Sequence, residues 1–232
     1  MSQAARRALD TIVRKDFRTL KEPGEKHKLR WGSPEVKICL ERMRLLTESY
    51  RRTEGEPEVI RVAKGLAHVL ENMTIFIDGG STNELFARHL DPKKPLKVIT
   101  HALNIAWILS QNENHQLLVP GGILNRLTMT FNGPDVEKLY DELNADALFI
   151  AASGLSLEKG LTDPTWLDSS IKKAMIASSR SVILLIDSHK FDLVSSRTFA
   201  SIDQVHHIIT DHGIDGELLN KYCSTGVDIL LA

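Results

Sequence analysis

The sequence has few cysteines and no long hydrophobic run. Its 232 residues include only Cys39 and Cys223, which are too few and too far apart for a disulfide scaffold or a CxxC redox or metal pair. No stretch approaches the roughly 18 uninterrupted apolar residues that a membrane helix needs. Charged residues between Arg6 and Lys15 also interrupt any signal-peptide core. We therefore expect a soluble, unexported protein in the reducing cytoplasm, with no membrane partner.

The chain also lacks a large net charge, but its charge is unevenly distributed. The formal total is -1. Residues 1–70 carry 16 Lys or Arg and 10 Asp or Glu, a charge of +6, whereas residues 71–232 carry 13 and 20, a charge of -7. A basic amino-terminal part on an acidic body is typical of a nucleic-acid-binding arm joined to a regulatory or catalytic domain. The alternative is chance unevenness on a solvated helical surface.

The order of hydrophobic patterns predicts an α/β fold with a mostly parallel sheet and flanking helices. From Met73 onward, β-branched runs alternate with segments of helical period, which favours strands linked by crossover helices. The predicted strands are Thr74–Asp78, Leu96–Thr100, Gln116–Val119, Ala147–Ala152, Ser181–Asp187, Val205–Thr210 and Val227–Leu231. The predicted helices are Pro57–Asn72, Asn83–Leu90, Leu103–Gln111, Asp135–Leu143, Thr165–Ser179 and Gly216–Tyr222.

A charged segment punctuated by Gly and Pro, Lys21–Pro34, separates this body from a small front element. Such a composition favours an exposed loop or a short hairpin. We place the boundary near Gly32 to Val36, so that residues 1–34 form the front element and residues 35–232 form one α/β domain.

Small polar loops, several of them containing glycine, follow the predicted strands. In open parallel sheets the carboxyl ends of the strands lie on one edge, and ligands bind in the crevice beside them. These loops therefore predict a ligand site. They are Asp78–Asn83, Thr100–Asn104, Pro120–Gly122, Ser153–Gly154 and Asp187–Lys190.

The loop Asp78-Gly79-Gly80-Ser81-Thr82 has the most specific pattern of these. Its glycines permit close backbone approach, and the start of a helix directs N–H donors at an anion such as phosphate. The alternative is an ordinary strand-to-helix turn capped by a Ser or Thr side chain. The loop matches neither the GxxxxGK[ST] nor the GxGxxG pattern.

Three lysines are candidate counter-charges for a phosphate. Lys172 and Lys173 diverge by about 100° on a helix, so at least one faces solvent. Lys190 directly follows a strand end and is the better placed of the three. Carboxylates could accept bonds from sugar hydroxyls, or one could act as a general base. The candidates are Asp78, Asp163 and Asp187.

Other chemistries have little support, and we predict no metal and no cofactor. The nine histidines form no HxH, HExxH or His/Cys cluster. Ser153 lacks the first glycine of GxSxG, so a nucleophile elbow is not expected.

The front element contains a basic helical pattern in Thr11–Gly24. Its basic residues recur at spacings of one, three and four, while Ile12, Phe17 and Leu20 could form an apolar stripe. Such a helix could rest on a core and face DNA. The alternative is a charged surface helix. The candidate DNA contacts are Thr11, Arg14, Lys15, Arg18 and Lys21.

Taken together, these motifs resemble the DeoR family of bacterial transcriptional regulators, whose carboxyl-terminal domain senses phosphorylated sugars. The matching segments occur in family order and, with the helix that leads into them, span residues 58–231. They read IFIDGGST, VITHALNIA, VPGG, NGPDVE, ADALFIAASGLSLEKGLTDPT, IKKAMI, VILLIDSHKF and IITD.

The resemblance implies a domain similar to ribose-phosphate isomerase, glucosamine-phosphate isomerase and the CoA-transferase-like fold, with the phosphate held by Asp78–Thr82. It also places further residues in the ligand crevice. They are Thr100, Asn104, Gly121, Gly122, Ser153, Gly154, Thr162, Asp163, Lys172, Asp187 and Lys190.

This chain departs from the family pattern at four positions and at its front. His101-Ala102 stands where Asn-Ser is usual, Asp168 replaces a common Glu, and His189 replaces a common Ser. The segment from Thr11 to Gly32 is similar to a recognition helix and wing. Only ten residues precede it, where the family has two further helices. The resemblance therefore predicts a partial winged helix-turn-helix.

The prediction is a DNA-binding regulator, a repressor of a carbohydrate operon, that is controlled by a phosphorylated sugar and is not an enzyme. Its expected partners are operator DNA, the sugar phosphate and further copies of itself in a dimer or tetramer. Two alternatives remain at this point: a sugar-phosphate isomerase, and a ligand-binding module that has lost DNA binding.

Overall fold

The computed structural model of the protein describes residue 62 and residues 64–231. The predicted front element, the boundary near Gly32 to Val36 and the five candidate DNA contacts lie outside these residues. The described strands are β1 (Thr74–Ile77), β2 (Leu96–Ile99), β3 (His115–Leu118), β4 (Ile123–Asn125), β5 (Thr130–Asn132), β6 (Ala147–Ile150), β7 (Gly154–Ser156), β8 (Gly160–Asp163), β9 (Val182–Leu185), β10 (Arg197–Ala200), β11 (His207–Thr210) and β12 (Asp228–Leu231).

Five α-helices lie between these described strands, each within two residues of its predicted start and end. They are α1 (Ser81–Arg88), α2 (Leu103–Leu109), α3 (Pro134–Asp141), α4 (Trp166–Ala177) and α5 (Gly216–Cys223). Within the described part of the chain, no helix combines the length and apolar character needed to cross a membrane.

The predicted helix Pro57–Asn72 ends earlier than expected. Among its described residues, helical backbone is found at 62 and 64–66. Tighter turns follow, in which the amides of Ala67 and His68 donate to the carbonyls of Lys64 and Gly65. Val69 nevertheless stays buried, at 3% exposure. Leu70, the last residue of the predicted apolar period, is 65% exposed, so here the period overran the helix without marking a buried face.

The seven predicted strands form one sheet in the order β12-β11-β9-β6-β1-β2-β3, with every neighbouring pair parallel. From β1 the chain moves outward through β2 and β3 and then returns to β6 on the other side of β1. The strand order thus reverses between β1 and β6. In open α/β sheets, the crevice at the carboxyl ends of such strands is where ligands bind.

The central strands β6 and β9 are buried on both faces, which explains why they read as continuous hydrophobic runs. Ile75 and Ile77 pack on one side with Phe86 of α1, whereas Phe76 packs on the other with Tyr140 of α3. This alternation follows from the two-residue period of a strand.

Two small antiparallel sheets extend the fold at the carboxyl edge and were not predicted. One has the order β10-β8-β7, and the other pairs β4 with β5. Their strands have three or four residues, and glycine begins both β7 and β8. Short strands with glycine carry little periodic signal. Gly154 is required sterically, since a Cβ there would lie 2.4 Å from the Leu193 carbonyl oxygen.

Candidate functional site

A buried lysine lies between two buried aspartates at the carboxyl ends of β1 and β8. The Lys172 Nζ is 3.0 Å from Asp78 Oδ2 and 2.5 Å from Asp163 Oδ2. It also donates to the Ala151 carbonyl oxygen at 2.7 Å. We call Asp78, Asp163 and Lys172 the lysine clamp. The ammonium thus has three oxygen acceptors, equal to its three donors.

Helix α4 determines which lysine enters the site. The helix begins after Thr165, whose hydroxyl accepts a hydrogen bond from the Asp168 amide. The next residue after Lys172, Lys173, is exposed. The prediction that at least one of these neighbours faces solvent is therefore confirmed, and Lys172 is the one that faces the crevice.

Burial and charge pairing act in opposite directions on the clamp. Burial by itself disfavours the ammonium, but Asp78 and Asp163 together raise the pKa of Lys172 above its ordinary value. Burial raises the pKa of Asp78, and Lys172 opposes that rise. We conclude that Lys172 is charged at neutral pH, because two carboxylates and a carbonyl surround it.

The clamp fixes the backbone at the end of β6, on the other side of the sheet reversal. The Ala151 amide donates to Asp78 Oδ2 at 3.1 Å, and the Ser153 amide donates to Asp163 Oδ1 at 2.9 Å. The Lys190 Nζ donates to the Ala152 carbonyl oxygen at 3.2 Å. Side chains from four chain segments therefore hold one three-residue loop in place.

The Gly79-Gly80 loop follows Asp78 and leads into α1. Gly80 is the N-cap residue, with φ 103°, and no side chain caps the helix there. The N-cap position is thus taken by a glycine and not by a Ser or Thr. A Cβ at Gly79 would lie 2.9 Å from Thr130 Cγ2. Gly80 and Ser81 are exposed, so the amino terminus of α1 is accessible at this edge, and the dipole of a helix favours an anion there.

Several other predicted residues also lie at this edge, where their side chains make local contacts. The Thr100 hydroxyl accepts from the Ala102 amide at 3.1 Å, and the Thr162 hydroxyl donates to the Gly154 carbonyl at 3.2 Å. Asn104 donates to Glu84 at 2.6 Å. The structure brings all of these to the same sheet edge as the clamp.

The remaining predicted positions lie in two loops. A Cβ added at Gly122 would lie 2.7 Å from the Asn132 carbonyl oxygen, whereas a Cβ added at Gly121 would meet no atom within 4 Å. Asp187 caps a single 3-10 turn, Ser188–Lys190, by accepting from the His189 amide at 2.9 Å.

His101 belongs to this region but was not predicted as a site residue. Its Nε2 is 3.8 Å from Asp78 Oδ1, and its Nδ1 is 3.1 Å from the Tyr140 hydroxyl. Burial first, and then the charge of Lys172, lower the pKa of His101 to about 4, so the ring is neutral at pH 7. Its sequence signals were its place directly after the Thr100 strand end and its departure from the Asn that is usual in the family.

Similarity to known proteins agrees with this geometry. Residues 60–212 match the family model for the DeoR C terminal sensor domain. A sensor domain is thus the class of protein that the fold and the sequence define. The match spans more than half of the chain, and the chain belongs to the DeoR family.

Its relatives include regulators from several bacteria. The chain is 30% identical over 213 residues to the HTH-type transcriptional regulator IolR of Bacillus subtilis (strain 168), covering 91% of this chain and 83% of that protein. It is 26% identical to the L-fucose operon activator of Haemophilus influenzae, covering 91% and 83%. These names confirm the predictions of a transcriptional regulator and of a protein that is not an enzyme.

Solved structures with a similar fold are more distant. Ribose 5-phosphate isomerase A from Methanocaldococcus jannaschii is 17% identical with a TM-score of 0.43, over 59% of this chain and 54% of that chain. The eIF2B delta subunit from Chaetomium thermophilum is 14% identical with a TM-score of 0.49, over 76% and 63%. The predicted α/β fold is confirmed by the parallel sheet itself.

Proposed function

We propose that this regulator controls a carbohydrate operon and that a phosphorylated sugar binds in the crevice between the carboxyl ends of β1 and β6. The lysine clamp is the observation that carries the proposal. Burying three charged side chains is costly unless they are paired. Here they order the loop after β1 and the loop after β6, at the point where open α/β sheets bind ligands.

In this proposal the phosphate rests on Asp78–Thr82 at the amino terminus of α1. Lys190 is its candidate counter-charge, because the Lys190 Nζ reaches the neighbouring loop at the Ala152 carbonyl oxygen. Lys172 orders the loops and does not contact the phosphate, since its three donors already have acceptors. The rest of the crevice would be lined by Thr100, Asn104, Gly121, Gly122, Ser153, Gly154, Thr162, Asp163 and Asp187.

Sugar binding would act on DNA through the arrangement of subunits in a homo-oligomer, a dimer or a tetramer. The basic residues Arg14, Lys15, Arg18 and Lys21, with Thr11, would contact the operator. A coupling free energy of about 1–3 kcal/mol between the two sites would change operator affinity roughly 5- to 150-fold.

Ligand-induced stabilisation tests the site. At about 100 times its dissociation constant, a sugar phosphate should stabilise the fold by roughly 2.7 kcal/mol, measured as a shift of the thermal midpoint. Gly80→Val should abolish the shift, because the positive φ at Gly80 strains any residue with a side chain. Lys190→Ala should reduce the shift, whereas Lys173→Ala, at an exposed position, should retain it.

Two results would contradict the proposal. One is a panel of sugar phosphates that gives no shift; the other is a shift that survives both Gly80→Val and Lys190→Ala. Retention of promoter fragments that is specific and falls with salt is expected in the same samples. Its absence would favour a ligand-binding module without DNA binding.

A further inference from the structure

Two buried asparagines lie near the Gly79-Gly80 loop. Asn83 ends one of the predicted polar loops but was not among the named ligand contacts, and Asn132 was not predicted as a site residue at all. Asn83, in the first turn of α1, donates from Nδ2 to the Gly79 carbonyl oxygen at 3.1 Å. Asn132 lies at the end of β5. Its Nδ2 is 3.4 Å from the Thr130 hydroxyl oxygen and 3.5 Å from the Thr130 carbonyl oxygen. These two distances are long for hydrogen bonds. Asn83 is 0% exposed and Asn132 is 4% exposed.

The direction of the Asn132 side chain follows from its strand. Successive residues of a strand point to opposite faces, so Thr130 and Asn132 point the same way and Phe131 the other. Phe131 packs against the apolar core. The Thr130 methyl group is the atom that a Cβ at Gly79 would meet. Asn132 therefore points to the side of β5 that faces the glycine loop.

Both amides have an unused acceptor. Within the described part of the chain, Oδ1 of Asn83 and Oδ1 of Asn132 are buried and have no hydrogen-bond partner. The orientation of the Asn83 amide is determined by its contact with Gly79. The Gly79 carbonyl oxygen can only accept a hydrogen bond, so the Asn83 Nδ2 must face it and Oδ1 must face away. Native proteins rarely bury polar atoms unpaired, since an unmade hydrogen bond destabilises the fold. These two atoms are distinguished from the other unpaired buried atoms by lying beside the proposed phosphate loop, where a ligand could supply the missing donors.

We propose that Asn83 and Asn132 recognise hydroxyl groups of the sugar next to its phosphate. An amide oxygen requires a donor, which a phosphate dianion hardly provides but a sugar hydroxyl does. At Asn132 the same hydroxyl could accept from Nδ2, whose present contacts are weak. This inference rests on the proposed function, because it requires the ligand's phosphate to lie on the Asp78–Thr82 loop.

The test compares sugar phosphates with inorganic phosphate. Asn132→Leu keeps nearly the same size but removes the amide. The ligands to try are ribose 5-phosphate, fructose 6-phosphate and glucose 6-phosphate. For those that stabilise the wild type, Asn132→Leu should weaken binding by about tenfold. Affinity for inorganic phosphate should not change, and the thermal midpoint without ligand should not fall, because the variant loses an unpaired acceptor and only two long contacts of Nδ2. Asn220→Leu, at an exposed position on α5, is the matched control.

The outcomes separate this inference from the proposed function. If the wild type binds neither sugar phosphates nor inorganic phosphate, both are wrong. If it binds them and Asn132→Leu binds sugar phosphates equally well, hydroxyl recognition is wrong and the site remains. A lower midpoint with equal losses for both ligands would make Asn132 a structural residue and would also overturn the inference.

Two further variants keep the test decisive. Asn132→Ala replaces the leucine variant if that one does not fold, since it removes the amide without adding atoms. Asn83→Ala should weaken both kinds of ligand, because it also releases the Gly79 carbonyl. Unchanged sugar-phosphate affinity in Asn83→Ala would contradict the assignment of that residue.

Discussion

The two edges of the parallel sheet carry similar charged groups in very different environments. At the carboxyl edge, the side chains of Asp78, Asp163 and Lys172 are 3%, 6% and 9% exposed. At the amino edge, Asp146 and Arg180 lie 3.8 Å apart with 41% and 85% exposure. Exposed pairs contribute about 0–1 kcal/mol, whereas breaking a buried pair costs about 3–5 kcal/mol. Ion pairs occur at both edges, but only the pairs at the carboxyl edge are buried. Burial of the charged side chains is therefore what distinguishes the candidate site.

The largest expected effect comes from breaking the lysine clamp. Lys172→Met should lower the free energy of unfolding by about 3–5 kcal/mol, because it leaves two buried carboxylates without a counter-charge. Urea denaturation at pH 7 measures this loss. Lys173→Met is the matched control on the same helix, and it should change stability by less than about 0.5 kcal/mol. Equal effects for the two variants would contradict the contrast between buried and exposed charges.

A smaller effect is expected from His101, which is buried at the same edge. Its pKa in the folded state is lowered to about 4, whereas an unfolded histidine titrates near 6.5. As the pH falls below 6.5, His101 binds a proton in the unfolded chain but not in the folded chain, so the free energy of unfolding decreases. Between pH 7 and pH 5 this loss should be about 2 kcal/mol.

His101→Asn isolates this contribution. Asp78 acts in the opposite direction, since its raised pKa lets the folded state gain a proton first as the pH falls. The measurement is therefore the difference between wild type and variant in unfolding free energy at pH 7 and pH 5. The variant should lose less stability on acidification. Parallel pH profiles for the two proteins would mean that His101 is not a buried neutral ring.

The smallest effect is expected at the amino edge. Arg180→Ala should change the unfolding free energy by less than about 0.5 kcal/mol, and 1 M salt should remove the difference, because the Arg180 side chain is 85% exposed. Urea denaturation at low and high salt measures it. A loss comparable to that of Lys172→Met would show that the two edges do not differ energetically.

The main elements of the fold could be predicted because burial leaves a pattern in the sequence. Val182–Leu185 lies buried on both faces, and its continuous hydrophobic run was predicted as a strand. The hairpin of β4 and β5 and the β7 and β8 strands were missed. They have three or four residues each and are held by contacts with distant segments, such as the approach of Leu193 to Gly154. Those contacts leave no periodic signal.

The candidate site was predictable only as a set of loops. Residues at strand ends, such as Asp78 and Thr100, could be assigned to one edge because parallel strands share their direction. The partners of each side chain could not be predicted. His101 was missed because its contacts are with Asp78 and Tyr140, which lie elsewhere in the chain. Asn132 was missed because its role depends on the direction of its side chain, which it shares with Thr130.

By itself, then, the sequence determined the α/β class, the DeoR family membership and the positions of the polar loops, because these depend on local periodicity and on motif order. The tertiary structure alone decided that the strand order reverses between β1 and β6, that Lys172 and not Lys173 turns inward, and that Asn83 and Asn132 retain unused acceptors. These features depend on which distant atoms meet, since burial strengthens a pairing and makes an unpaired group costly.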